Sequence, residues 1–209
     1  MTNRILTPLL AGAAALAVVV PMASGAGSQS ATQAKCSGKN AGAAVGDSVL
    51  WMAAENYGQK KTLQSALGGS SATVDTRTSR QFGEGISAMR AALKPGACAA
   101  VIALGTNGPV KPEQWKEMMA VVKRVPRVVV VNTYTKDHRT RRDGQQQYWM
   151  EQLNSDIANL AKSNKNVRVV NWNGTAARNS SLLEPDGVHP NASGSKQFVA
   201  MIVTALRQK

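Results

Sequence analysis

Only two histidines and two cysteines occur among the 209 residues, and 12 acidic residues face 25 basic ones. With so few soft ligands, and no His, Cys, Asp and Glu grouped at metal-ligand spacing, nothing in the sequence points to a metal centre. No glycine loop of the phosphate-cradling kind opens a helix, so a nucleotide is not expected, and the expected cofactor set is none. Internal repeats are absent, and no low-complexity tract follows residue 40.

Long apolar runs are confined to the start. Arg4 precedes an apolar stretch over residues 5–22 that Pro8, Gly12 and Pro21 interrupt and that Ala23, Ser24, Gly25 and Ala26 close. A bilayer-spanning helix needs about 20 apolar residues with few breaks. Residues 1–26 therefore read as a secretory signal peptide cleaved after Ala26, an uncleaved anchor being the alternative. Residues 27–40, rich in Ser, Gly, Ala and Lys, read as a flexible leader, and residues 41–209 as one domain. The 183 residues left after cleavage suffice for a single core. The expected location is outside the cell or in its envelope, with no membrane span once the signal is removed.

Cys36 and Cys98 make an even count in an exported chain, which favours a disulfide tying the leader to a core strand over two unpaired thiols. Because the signal segment holds Arg4 and no acid, the mature chain carries a formal charge of +12. Outside the cytoplasm nucleic acid is not an expected partner. Anionic envelope polymers, lipid headgroups and acidic glycans are.

Short apolar runs alternate with longer amphipathic stretches, the pattern of a parallel sheet covered on both faces. Strands are expected at residues 43–46, 72–75, 99–104, 127–132 and 167–171. Helical spacing joins Ile86, Met89, Ala92 and Leu93; Trp115, Met118, Met119 and Val122; Trp149, Leu153, Ile157 and Leu160; and Phe198, Met201, Ile202, Ala205 and Leu206. The expected architecture is an α/β, three-layer α/β/α sandwich around a five-stranded, doubly wound, flavodoxin-like parallel sheet. In such sheets working residues gather beyond the carboxyl ends of the strands.

The polar residues at those ends form a chemical set. A serine hydroxyl needs a base to take its proton as it attacks, and a free imidazole titrates near neutrality. Ser48 follows the first strand in Gly46-Asp47-Ser48. His189 follows the fifth, with Asp186 three residues earlier to orient its ring. Developing charge on an ester oxygen needs donors already in place. The Ser48 N–H at a helix start and the side-chain amide of Asn107, in Gly105-Thr106-Asn107-Gly108, are candidates. Asp47 is expected to fix its turn locally. The basic stretch from Lys136 to Arg142, including His138, reads either as a solvated loop or as a place where Arg139 and Arg141 hold a polar substrate; Arg80 has a similar claim. The four tryptophans read as core or rim aromatics rather than sugar platforms, with lining of the cleft as the alternative for Trp172.

Gly46-Asp47-Ser48, Gly105-Thr106-Asn107 and Asp186-Gly187-Val188-His189 resemble the blocks of the SGNH (GDSL-type) hydrolases. The stretch from Val74 to Phe82 resembles SGNH domains fused to membrane acyltransferases that O-acetylate envelope glycans. The resemblance implies Ser48 as nucleophile, His189 as base and Asp186 as its orienting acid. It also implies oxyanion donors from Ser48, Asn107 and a block-two position where this chain has Ser79 in place of glycine, with Gly83 or Gly85 as alternatives. It further implies a serine esterase taking small acyl groups from carbohydrate or envelope glycan, or an O-acyltransferase served by a membrane acyltransferase partner. The third reading is an inactive envelope-binding protein.

Overall fold

The computed structural model describes residues 36–136 and 149–208. The expected signal peptide, most of the expected leader, and His138, Arg139 and Arg141 lie outside the described residues. Five strands form one sheet: β1 (Ala43–Gly46), β2 (Thr73–Thr76), β3 (Ala100–Ala103), β4 (Val128–Val131) and β5 (Val167–Val170). Their order is β2-β1-β3-β4-β5 and every neighbouring pair is parallel, which is the flavodoxin-like doubly wound arrangement. Every expected strand is present. No end shifts by more than one residue, Leu104, Asn132 and Asn171 leaving the ladder to open loops.

Alternation along the strands sends side chains to two buried layers. Ala43, Val45, Ala100, Ile102, Val128 and Val130 face one. Ala44, Val101, Ala103, Val129 and Val131 face the other. An inner strand buried on both sides favours apolar residues throughout, hence the four valines in a row in β4.

The first layer holds α3 (Phe82–Ala92), α4 (Pro112–Val122) and α5 (Trp149–Ser163). The second holds α1 (Ser48–Trp51), which continues through a π-type turn (Met52–Asn56), then α2 (Lys60–Ala66), α6 (Trp172–Arg178) and α7 (Ala192–Arg207). Local signals explain the boundaries. The Gln81 N–H donates to Glu84 Oε2 at 2.8 Å to begin α3, and Pro95 follows soon after its end. Pro112 opens α4, a position where its missing N–H costs nothing.

The short helix α6 was not among the expected helices. Asn171 caps it, its Oδ1 accepting the Gly174 N–H at 2.9 Å. Trp172 does not line the cleft: it is 1% exposed and meets Phe198 edge to face at 5.1 Å, its large apolar surface being drawn under α7.

Cys36 and Cys98 form a disulfide with a Cα–Cα distance of 5.2 Å, closing 62 residues of sequence. The end of the expected flexible leader is therefore held, and Gly38–Asn40 form a 3-10 turn whose Asn40 carbonyl accepts the Cys98 N–H at 2.9 Å. Replacing both cysteines by alanine is expected to cost about 2–4 kcal/mol. For a domain of this size that is a fall of roughly 5–12 °C in melting temperature. Calorimetry with and without reductant checks it, since the variant should match the reduced wild type.

Candidate active site

Strand β1 ends at Gly46, where a Cβ would stand 2.4 Å from the Leu50 Cβ, so only glycine lets the chain turn this sharply from strand into helix. Asp47 follows, 1% exposed. Its Oδ1 accepts the Val49 N–H at 3.0 Å as a helix cap, and its Oδ2 accepts the Thr106 N–H at 3.0 Å. The local bond was expected; the second, spanning to the loop after β3, was not. Burial pushes the Asp47 carboxyl above its ordinary range, against the lowering effect of the Thr106 and Val49 N–H groups. Ser48 then begins α1, 9% exposed, with its Oγ 2.9 Å from His189 Nε2.

The other imidazole nitrogen, Nδ1, lies 2.6 Å from Asp186 Oδ2. Asp186 Oδ1 accepts the N–H groups of Val188 at 2.9 Å and His189 at 3.0 Å. Burial raises the Asp186 pKa, but the hydrogen bonds from the His189 ring and the two backbone groups outweigh it and leave the carboxyl below the usual carboxylate range. The loop is also clamped from outside. Glu184 takes the Gly187 N–H at 2.9 Å on its carbonyl and gives its own N–H to the His189 carbonyl at 2.8 Å. The Lys136 N–H donates to the Gly187 carbonyl at 2.7 Å.

Tyr57, just past the π-type turn that extends the helix of Ser48, donates its hydroxyl to the Glu184 carboxylate. That bond raises the Tyr57 pKa by favouring the protonated phenol. It links the far end of the helix that begins at Ser48 to the loop that carries His189, which makes Tyr57 a candidate positioning residue. Tyr57→Phe is expected to lower kcat roughly three- to tenfold with KM unchanged, the size of one ordinary hydrogen bond at a partly exposed site. Glu184→Gln, which keeps an acceptor, should retain more activity than Tyr57→Phe.

The loop after β3 supplies the third wall. Gly105 has φ +117°, and a Cβ there would stand 2.2 Å from Leu153 Cδ2, so any side chain is excluded. Its carbonyl accepts the Trp149 indole N–H at 3.0 Å. Asn107 Nδ2 donates to the Arg80 carbonyl at 3.2 Å, and Gln81 Nε2 donates to the Asn107 carbonyl at 3.1 Å. Asn107 is thereby braced by the loop after β2. In that loop Ser79 takes φ +57°, the only positive φ outside glycine among the described residues. A left-handed serine costs about 1–2 kcal/mol, the conformation expected where glycine is usual. Ser79 itself is exposed.

Arg80 departs from its expected part in substrate contact. Its side chain is 6% exposed and pairs with Asp75 at 2.6 Å. Nη1 donates to the Gly46 carbonyl at 3.0 Å and the Asp75 carbonyl at 2.9 Å. The guanidinium is thus spent inside, bracing the carboxyl ends of β1 and β2.

Ser48, Thr106, Asn107, Thr135, Trp149, Met150, Val188 and His189 line a cavity of about 220 Å³. Trp149 and Met150 were not expected here; an aromatic opening a helix next to a basic loop was the available signal. A larger cavity of about 460 Å³ lies between α4 and α5, away from these groups. Among the described residues no group of three His, Cys, Asp or Glu side chains is placed to hold a metal ion, and no helix is long and apolar enough to cross a membrane.

No protein-family model matches the chain. Its sequence is similar to the peptidoglycan O-acetyltransferase OatA of Listeria monocytogenes, 29% identical over 167 residues that cover 79% of this chain and 24% of that protein. The chain spans about a quarter of the length of the curated relatives it matches. Among solved structures, a member of the lipolytic G-D-S-L family from Veillonella parvula aligns at a TM-score of 0.57 and 14% identity, covering 78% of this chain and 96% of that one. The fold is that of the SGNH, or GDSL-type, hydrolases. An acetylxylan esterase from Geobacillus stearothermophilus, solved as a catalytic mutant, shares this SGNH fold at a TM-score of 0.58 and 11% identity, covering 84% and 98% of the two chains.

Proposed function

We propose that the chain is an exported serine esterase that removes small acyl groups, acetyl above all, from carbohydrate or cell-envelope glycan. The observation that carries this reading is the row of groups from Asp186 Oδ2 to His189 Nδ1 at 2.6 Å and from His189 Nε2 to Ser48 Oγ at 2.9 Å. In the reaction, Ser48 Oγ attacks the acyl carbonyl carbon as its proton passes to His189 Nε2. Asp186 holds the ring in the tautomer that can receive it. The tetrahedral oxyanion is met by the Ser48 N–H and the Asn107 amide, with the Ser79 N–H as third donor. Collapse breaks the ester bond, and the departing sugar oxygen takes the proton from Nε2. Water then attacks acyl-Ser48 with His189 again as base, releasing the acid and restoring the serine.

A cavity of about 220 Å³ suits an acyl group of a few atoms. Side-chain exposures of 25% at His189 and 40% at Asp186 leave the base within reach of water, which favours hydrolysis. A second reading keeps the same acyl-enzyme and passes the acyl group to a glycan hydroxyl. The similarity to the Listeria O-acetyltransferase over 79% of the chain favours it. In that reading a membrane acyltransferase partner supplies the acyl group, and Arg139 and Arg141 are proposed to hold the acceptor. Incubation with a small acetyl donor and peptidoglycan fragments separates the two. Acetate alone, whatever acceptor is offered, supports the esterase; acetylated fragment in proportion to acceptor supports the transferase; neither product removes both.

A further inference from the structure

Charge is unevenly laid over this fold. Helices α3, α4 and α5 share one face of the sheet, and as crossover helices they run against the strands. Their last turns therefore reach one rim, at the end of the sheet opposite the Ser48 cavity. Just past those turns stand Lys94, Lys123, Arg124 and Lys165, with Lys162 in the last turn of α5, all exposed. The acids of the same helices lie toward the other end or mid-helix, with Glu84, Glu113 and Glu151 in the first turns and Asp156 in the middle of α5, its Oδ1 accepting from Gln152 Nε2 at 2.8 Å. Glu117, mid-helix, is engaged by Arg90 at 2.9 Å. Among the described residues no carboxylate forms an ion pair with any of the five rim cations.

Helix dipoles favour a cation at each carboxyl end, but each end presents only about half a negative charge. Three ends thus offset roughly one and a half of the five positive charges. Between the ends of α3 and α4 the surface dips into a cavity of about 390 Å³ walled in part by Arg90, Lys94, Gly96 and Arg124. Adjacent helices pack about 8–10 Å apart, so the cations are strung over roughly 20 Å, a spread that suits a chain of anions better than a single one. No aromatic stands in the segments that carry the rim cations, and Leu93 and Val121 are only partly exposed. The rim offers a bilayer interior nothing to hold.

We propose that this rim docks a linear, phosphate-bearing polyanion, anchoring the domain with the Ser48 cavity on the side away from the anchor. Long-chain inorganic polyphosphate is the probe, bound to the intact chain over a series of salt concentrations. The wild type should bind with an affinity that falls steeply with salt. The variant Lys94→Gln/Lys123→Gln/Arg124→Gln/Lys165→Gln should bind about tenfold more weakly or worse, with melting temperature and turnover of a small acetyl ester unchanged. A control of equal net charge, Lys61→Gln/Lys116→Gln/Arg178→Gln/Lys196→Gln, should bind as wild type. Should the fourfold rim variant unfold, the pair Lys94→Gln/Lys123→Gln takes its place, with a loss of about threefold expected. The proposal is overturned by a wild type that does not bind polyphosphate, by a folded rim variant that binds as wild type, or by equal losses in rim and control variants. Tighter binding to phosphatidylglycerol vesicles than to polyphosphate also overturns it, in favour of a membrane surface. Because turnover of the small ester is read separately, failure here leaves the acyl-enzyme reading standing.

Discussion

Replacing His189 with alanine is expected to lower kcat/KM on a small acetyl ester by about four to six orders of magnitude, the range seen when a unit that shares one proton path loses its base. The fold should hardly notice, since the loop is tied by the backbone bonds of Glu184, Gly187 and Lys136 rather than by the ring. A loop substitution of this kind moves stability by about 0.5 kcal/mol or less. Asp186→Asn should follow at about ten-thousand-fold, because an amide can donate to Nδ1 and hold the ring in the wrong tautomer. The same variant has a signature in stability against pH. The Asp186 carboxyl is held below its ordinary 3.8 in the fold. Its stabilising contribution is therefore complete above that value and lost as pH falls through the lower, folded value. Denaturant titrations below pH 3.8 should show a shallower acid loss in Asp186→Asn than in the wild type.

The second large effect is expected at Asn107. Loss of one oxyanion donor costs about a hundred- to thousand-fold in kcat, and Asn107→Ala should show that loss with KM changed little. The side chain also donates to the Arg80 carbonyl, so a loosened loop would be a rival cause. Gln81→Ala separates them: it cuts the bond from Gln81 Nε2 to the Asn107 carbonyl and leaves the donor in place. Steady-state kinetics of the two variants should differ by about tenfold or more. Equal losses would assign Asn107 to loop support alone.

What could be read from the sequence divides by range. Buried parallel strands need apolar runs, so residues 128–131 and their counterparts were legible, and a doubly wound parallel sheet followed from the alternation with helices. Three of the polar blocks at strand ends were legible for the same reason. Helix α6 was not, because Asn173, Gly174 and Thr175 leave seven residues without an apolar period. Arg80 was misread since a cation near a site looks like a ligand until its partner and the carbonyls around it are known. Bonds across long separations, Asp47 to Thr106 and Tyr57 to Glu184, leave no local trace at all. The left-handed backbone of Ser79 was legible only as a position where glycine would be easier.

Mass-spectrometric mapping after reaction with a fluorophosphonate decides whether Ser48 is the nucleophile, because the reagent phosphonylates an activated serine oxygen and nothing is asked of the natural substrate. The account predicts one adduct, on the peptide carrying Ser48, absent in Ser48→Ala and formed far more slowly in His189→Ala. An adduct on another serine, or full acetyl-ester turnover by unlabelled Ser48→Ala protein, would contradict it.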